Sequence, residues 1–242
     1  MRALVVLPTY EEAENIAQVL RRLRAAVPTA DVLVIDDSSA DDTAGVAKDV
    51  GHELGQVDVL MRPAKSGLGS AYRAGFAQAM AGGYDVVVEM DSDLSHDPDR
   101  LPGLLEAVEE GADLALGSRY VPGGSIPKWP AHRRWLSVLG NRYAGVLLGL
   151  PIRDLTSGFR AYRVDTLRRI DLDAVRAEGY GFQVEMAYRV ARQGGVIVEL
   201  PITFVDRERG TSKMSLRIVV EALLLVTFWG VRDRIPGRRQ RS

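Results

Sequence analysis

The chain has no cysteine and only three histidines, His52, His96 and His132. Without thiols there is neither a disulfide framework nor a thiolate metal centre, and three scattered imidazoles make no zinc cluster. Long apolar runs are also missing. The stretch 218–229 is broken by Glu221 and Thr227, and at about 1.5 Å per residue it reaches roughly 18 Å, short of the ~30 Å hydrocarbon core of a bilayer. No charged-then-apolar leader precedes the first strand, so the expectation is a cytoplasmic protein. No recognition-helix or stacking-platform pattern points to nucleic acid.

What is present is a chain of 242 residues with 46% hydrophobic content, enough for one large α/β core. The net charge of −1 conceals an uneven distribution. Residues 1–116 carry 9 basic and 21 acidic side chains, whereas residues 117–169 carry 10 basic and 2 acidic. A balance of −12 followed by one of +8 suggests that an anionic ligand or surface approaches the second half.

Continuous apolar runs predict strands at 3–8, 31–35, 57–61, 86–90 and 114–116, alternating with helices at 13–26, 41–49, 71–81 and 97–110. Such β-α alternation is the pattern of a mostly parallel sheet with helices on both faces. The strands run into polar residues: Tyr10 and Glu12 after the first, Asp37 after the second, Asp91 with Asp93 after the fourth, and Arg119 after the fifth. In parallel strands these lie along one edge, where open α/β sheets gather ligands. The sequence Asp91-Ser92-Asp93 places two carboxylates two residues apart beyond a strand end, a pattern suited to Mg²⁺ or Mn²⁺ carrying a diphosphate. Asp97, before Pro98, reads separately as a helix cap. The Lys65–Ser70 glycine loop is read either as a phosphate or sugar contact or as a plain turn.

Four segments, LPTYEEAENI from Leu7, VIDDSSADDT from Val34, MDSDLSHDP from Met90 and DLTSGFRAYR from Asp154, resemble the family 2 glycosyltransferases of GT-A fold, and more narrowly the polyprenol (dolichol) phosphate mannose synthases. The resemblance implies a Rossmann-like sheet and an inverting transfer of mannose from GDP-mannose to polyprenyl phosphate. It implies that Pro8, Tyr10, Glu12, Ile35 and Asp37 hold the guanosine, and that Asp91, Ser92 and Asp93 hold metal and diphosphate. Ser95 stands where some members carry a glutamine ligand. Arg207 and Lys213 match diphosphate contacts, and Gln183 and Glu185 fall either beside site-lining positions or on the helix surface.

A polyprenyl phosphate is already an anion at neutral pH and needs no general base. Cations are needed instead, and Arg119, Arg207, Arg209 and Lys213 are the candidates for bringing two anionic groups together. Asp154 is then expected to orient neighbouring arginines. Arg133 and Arg134, ahead of a helix at 135–148, are assigned to the lipid phosphate; that helix is read either as core or as a membrane-surface element. A transferase domain over 1–214 and a membrane-associating apolar helix with basic tail over 215–242 are expected, peripheral on the inner face of the cell membrane, with a separate integral protein as a candidate partner. Three alternatives remain open: glucosyl transfer from UDP-glucose to the same acceptor, a sugar nucleotidyltransferase, and a non-enzymatic membrane adaptor.

Overall fold

A computed structural model describes residues 1–206 and 216–234, with side chains from 216–221 and 233–234 left aside. Seven strands form one sheet: β1 (Ala3–Thr9), β2 (Asp31–Asp36), β3 (Val57–Met61), β4 (Val86–Glu89), β5 (Leu114–Ser118), β6 (Arg160–Arg163) and β7 (Ile197–Pro201), in the order β3-β2-β1-β4-β6-β5-β7. All run parallel except β6, which is antiparallel to both β4 and β5. The polar ends of β1, β2, β4 and β5 therefore do share one edge. The reversal at β6 adds its own N-terminal approach, residues 154–159, to that edge.

The helices follow the apolar spacing. They are α1 (Ala13–Ala26), α2 (Thr43–Leu54), α3 (Leu68–Ala81), α4 (Leu101–Glu109), α5 (Ala131–Leu148), α6 (Val164–Arg168), α7 (Gly179–Arg192) and α8 (Leu216–Arg234). Ile16, Val19, Leu20 and Leu23 make the buried stripe of α1. Asp97 does cap the turn before α4, accepting from the Asp99 backbone N–H at 3.2 Å. The two faces of the sheet carry separate cores. Val5, Leu7, Val34, Val88 and Met90 face α1 and α4, while Val6, Ile35, Val87 and Leu116 face a layer built on Tyr72, Phe76 and Phe182. Those three rings stack or tilt against one another at centroid separations of 6.0 to 6.4 Å, which fixes α3 against α7.

Two expectations change. Helix α5 starts four residues earlier than 135; its stripe of Leu136, Leu139, Tyr143 and Val146 faces outward, while Asn141, Ala144 and Gly145 are buried and Ala144 joins the larger core. Helix α8 extends beyond the apolar stretch at both ends, to 19 residues, and it packs on the transferase core. Val226 and Trp229 enter the larger core, Trp229 stacks on Tyr188 at 5.8 Å, and the Tyr143 hydroxyl lies 2.7 Å from Thr227 on the α5–α8 seam. Gly230 lets that seam close, because a Cβ there would fall 2.5 Å from the Leu147 side chain. No described helix is long and apolar enough to cross a membrane.

Candidate active site

A cavity of about 610 Å³ opens at the carboxyl edge of the sheet. Sheet order lays out its walls. Asp37 comes from the end of β2, Pro8, Tyr10 and Glu12 from β1, Asp91, Ser92 and Asp93 from β4, Ser157 and Gly158 from the approach to β6, Arg119 from β5, and Phe204 and Asp206 from beyond β7. The acidic pair thus sits in the middle, with the β1–β2 residues on one flank and the arginines on the other.

The β4 end is held from several sides. The Ser92 hydroxyl donates to the Pro8 carbonyl at 2.9 Å, and the Ser95 backbone N–H donates to Asp93 Oδ1 at 3.0 Å. Asp93 is buried, whereas Asp91 keeps about a third of its side chain exposed. The Asp91 backbone N–H donates to His96 Nδ1 at 3.2 Å. His96 lies flat on Phe159 at 5.2 Å and edge-on to Phe204. Burial pushes its pKa down to about 4, with the Asp93 charge pulling the other way and Arg119 adding to the fall, so the ring is neutral and able to accept that bond.

Among the described residues no third His, Cys, Asp or Glu joins Asp91 and Asp93 in a metal-binding cluster. Two carboxylates with the remaining positions left for phosphate oxygens and water is the donor set of a substrate-bridging Mg²⁺ or Mn²⁺, and the pair fits that group. Ser95 is buried and does not line the cavity; its backbone N–H holds Asp93, while its hydroxyl meets no described hydrogen-bond partner.

The expected nucleoside contacts divide. Pro8, Tyr10, Glu12 and Asp37 line the cavity, with Lys65 Nζ 3.8 Å above the Tyr10 ring. Asp37 is held by Arg62, which donates from Nε at 2.5 Å and from Nη2 at 2.7 Å. Ile35 is fully buried in the core beneath and is absent from the cavity wall. In the glycine loop, the Gly69 N–H is already taken by the Glu178 carboxylate at 2.7 Å, and Arg73 holds the same carboxylate at 3.1 Å.

On the other flank, Arg119 is only 5% exposed and clasped by Asp154, which accepts from the Arg119 backbone N–H at 2.9 Å, from Nε at 2.7 Å and from Nη2 at 2.6 Å. Burial works against the guanidinium charge, yet the carboxylate outweighs it and raises the pKa further. Asp154 therefore orients the arginine, as expected, and offsets much of its charge. Arg133 is more accessible. It lies 3.9 Å over the Trp129 ring and makes only a loose 3.4 Å pair with Asp206. Arg134, by contrast, is exposed and outside the cavity wall. Arg207, Arg209 and Lys213 lie outside the described residues.

The surface alternative for Gln183 and Glu185 does not hold, since both are buried on α7. Glu185 pairs with Arg189 at 2.7 Å, and Gln183 lines the cavity. Glu89 received no role in the sequence. It is completely buried under Asp91, neither of its oxygens meets hydrogen-bond geometry, and burial raises its pKa to about 7 against the pull of Arg160 and the Gln183 amide. A charged residue closing an otherwise apolar strand, VVVE, was the available signal.

This sheet, with its acidic pair at the edge, is that of a GT-A-type glycosyltransferase. The chain belongs to glycosyl transferase family 2, whose model matches residues 4–171. It is 54% identical over 241 residues to an undecaprenyl-phosphate mannosyltransferase of Micrococcus luteus, covering 100% of this chain and 99% of the relative. It is 47% identical to a polyprenol monophosphomannose synthase of Mycolicibacterium smegmatis, over 98% and 90% of the two chains. A dolichol-phosphate mannosyltransferase of Pyrococcus furiosus is 35% identical over 97% of this chain and 66% of its own. Among solved structures, glucosyl-3-phosphoglycerate synthase of Mycobacterium tuberculosis with Mn²⁺, UDP and product superposes with a TM-score of 0.70 at 21% identity, over 95% and 80% of the chains, which is a likeness of fold.

Proposed function

We propose that this glycosyltransferase moves mannose from GDP-mannose to a polyprenyl phosphate at a membrane surface, with inversion at the anomeric carbon. The observation that carries the reading is one cavity joining an acidic pair to a half-exposed arginine, where among the described residues the carboxylates of the arginine flank are engaged: Asp154 holds Arg119, and Asp206 accepts from Trp129 at 2.8 Å and pairs loosely with Arg133. A phosphate monoester fits such a site because its oxygen is already ionised near neutral pH. That oxygen attacks C1 of the sugar while the bond from C1 to the diphosphate oxygen breaks and its electron pair leaves with GDP. Full-length relatives named as mannosyltransferases support the sugar and acceptor classes.

Asp91 and Asp93 would hold a divalent cation, Mg²⁺ or Mn²⁺, and it would supply charge neutralisation for the departing diphosphate. The chain itself supplies position. Tyr10, Glu12 and Asp37 bound the nucleoside flank, Ser92 fixes the loop on Pro8, and Arg133 meets the acceptor phosphate, with Arg119 held by Asp154 as part of the wall. The membrane side of the reading rests on α5 and α8, whose outward residues include Trp135, Leu136, Val146, Leu224 and Phe228. The test is incubation with labelled GDP-mannose, a short polyprenyl phosphate and Mg²⁺, with UDP-glucose in parallel. Label entering the organic phase from GDP-mannose, and not with Asp93→Asn, is the expected result; transfer from UDP-glucose instead would overturn the donor.

A further inference from the structure

The cavity wall has a recess between Asp91 and Gln183. Gly158, just before β6, faces Asp91, and the space beside it has room for a methyl group. A Cβ there would lie 3.7 and 3.8 Å from the two Asp91 carboxylate oxygens and 3.8 Å from Gln183 Nε2, all ordinary contact distances. Gln183 is 2% exposed, and neither Nε2 nor Oε1 meets hydrogen-bond geometry with any described group. Within the protein the amide reaches toward Glu89, whose charged form it favours. Buried amides are ordinarily satisfied on both sides, so an under-satisfied one beside a cavity calls for a missing partner.

The chemistry of the donor says what that partner is. In a sugar nucleotide the hexose is bonded to the outer phosphate, so when diphosphate sits at Asp91 and Asp93 the sugar lies within a few bonds of them. The sheet order leaves β6 as the neighbour of β4 there, and Gly158 is at its head. We infer that Gly158 and Gln183 form the floor of the sugar subsite, with the Gln183 amide hydrogen-bonding a ring hydroxyl of the transferred hexose and so selecting its stereochemistry. An amide suits this task because it both donates and accepts, and a site built around a hydroxyl discriminates strongly against a sugar that presents it elsewhere.

This inference rests on the sugar-nucleotide reading above, and the two fail separately in one experiment. Dissociation constants for GDP, GDP-mannose and GDP-glucose, and for UDP and UDP-glucose, are measured by calorimetry with Mn²⁺ on the wild-type chain, Gln183→Leu and Gly158→Ala. Thermal unfolding without ligand reports folding. The expected result is that both variants bind the nucleoside diphosphate within about twofold of wild type, while affinity for the preferred sugar nucleotide falls about tenfold in Gln183→Leu, the worth of one hydrogen bond, and falls in Gly158→Ala because the methyl takes space from the sugar. Preference between the two GDP-sugars should narrow in Gln183→Leu. Gly158→Ala guards against misfolding, since its added methyl meets no atom closer than 3.7 Å. Equal weakening of nucleoside diphosphate and sugar nucleotide, or an unchanged preference, overturns the inference alone. Wild-type protein that binds UDP-glucose in place of the GDP-sugars overturns the donor reading while the variants still decide Gln183, and wild-type protein that binds no sugar nucleotide overturns both.

Discussion

Asp154 holds Arg119 through its side chain at Nε and Nη2, 2.7 and 2.6 Å away, and through its backbone N–H, with Asp154 fully buried. Two β7-facing bonds hold the carboxylate's own loop in turn, from the Arg153 and Asp154 N–H groups to Glu199 at 2.9 and 3.0 Å. Breaking one side of such a pair strands a charge, which costs about 3 to 5 kcal/mol, whereas removing both costs much less. Asp154→Asn should therefore lower the unfolding free energy by that order, and Asp154→Asn with Arg119→Met should recover part of it. Urea unfolding of the two single variants and the double variant checks this; strict additivity would mean that the clasp has no coupling energy.

Asp93→Asn keeps size and the bond from the Ser95 N–H but removes a charge from the acidic pair. With Mn²⁺ present, affinity for nucleoside diphosphate should fall at least tenfold, and without metal it should change little. Titrations with and without a chelator separate the two. Equal loss in both arms would assign Asp93 a purely structural part.

Two buried groups beside the acidic pair tilt the pH dependence in opposite directions. Burial holds the His96 pKa at about 4, below the ordinary value near 6.5, so the unfolded chain binds the proton first. The stability His96 contributes is full above ~6.5 and is lost as pH falls toward 4. Burial raises the Glu89 pKa to about 7 from an ordinary 4.5, so the folded chain keeps that proton longer. Its stability is full below ~4.5 and is lost as pH rises through 7. In metal-free protein, Glu89→Gln should gain stability relative to wild type between pH 5 and 7, and His96→Gln should flatten the acid limb. Chemical denaturation at pH 5, 6 and 7 reads both slopes; parallel curves for Glu89→Gln and wild type would show that Glu89 is ionised in the fold.

Why some of this was legible in the sequence and some was not follows from range. The β-α alternation and the Asp91-Ser92-Asp93 end are local, and period-two geometry alone puts both carboxylates beyond β4. The reversal of β6 is not local: RAYR reads as any short strand, and its direction is set by pairing with β4 and β5. Burial of Gln183 depends on α7 packing under that reversed strand, where the Arg160 guanidinium donates to the Gln183 backbone carbonyl at 2.7 Å. Ile35 shows the opposite error. A residue next to a functional aspartate inherits a role from a motif, while strand alternation turns its side chain into the core.

Arg133 and Arg134 are adjacent in sequence but differ in what they reach. Arg133→Ala should raise the concentration of polyprenyl phosphate needed for half-maximal rate, by about tenfold for a lost charge-assisted bond, and leave nucleotide affinity near wild type. Arg134→Ala should do neither in detergent, because Arg134 does not line the cavity. Steady-state kinetics varying each substrate, with the two variants side by side, decide it; equal effects would mean that the surface charge of the helix N-terminus matters more than the cavity wall.

The outward stripes of α5 and α8 set the last expectation. Leu136, Leu139, Tyr143 and Val146 follow helical spacing on α5, as do Leu224, Phe228 and Val231 on α8, and the two helices touch along the Tyr143 to Thr227 seam. Two apolar stripes side by side form a surface suited to insertion at a headgroup boundary, and Arg134, Arg142 and Arg232 add cationic charge for anionic lipid. Leu136→Asp with Leu224→Asp should leave thermal stability nearly unchanged, since both positions are at least 65% exposed, yet reduce sedimentation with vesicles containing anionic lipid by about tenfold. Activity on a short, detergent-soluble acceptor should persist while activity on acceptor embedded in vesicles falls. If the double variant lost both activities equally, the stripes would be serving the catalytic cavity itself, and binding to the lipid surface would need another part of the chain.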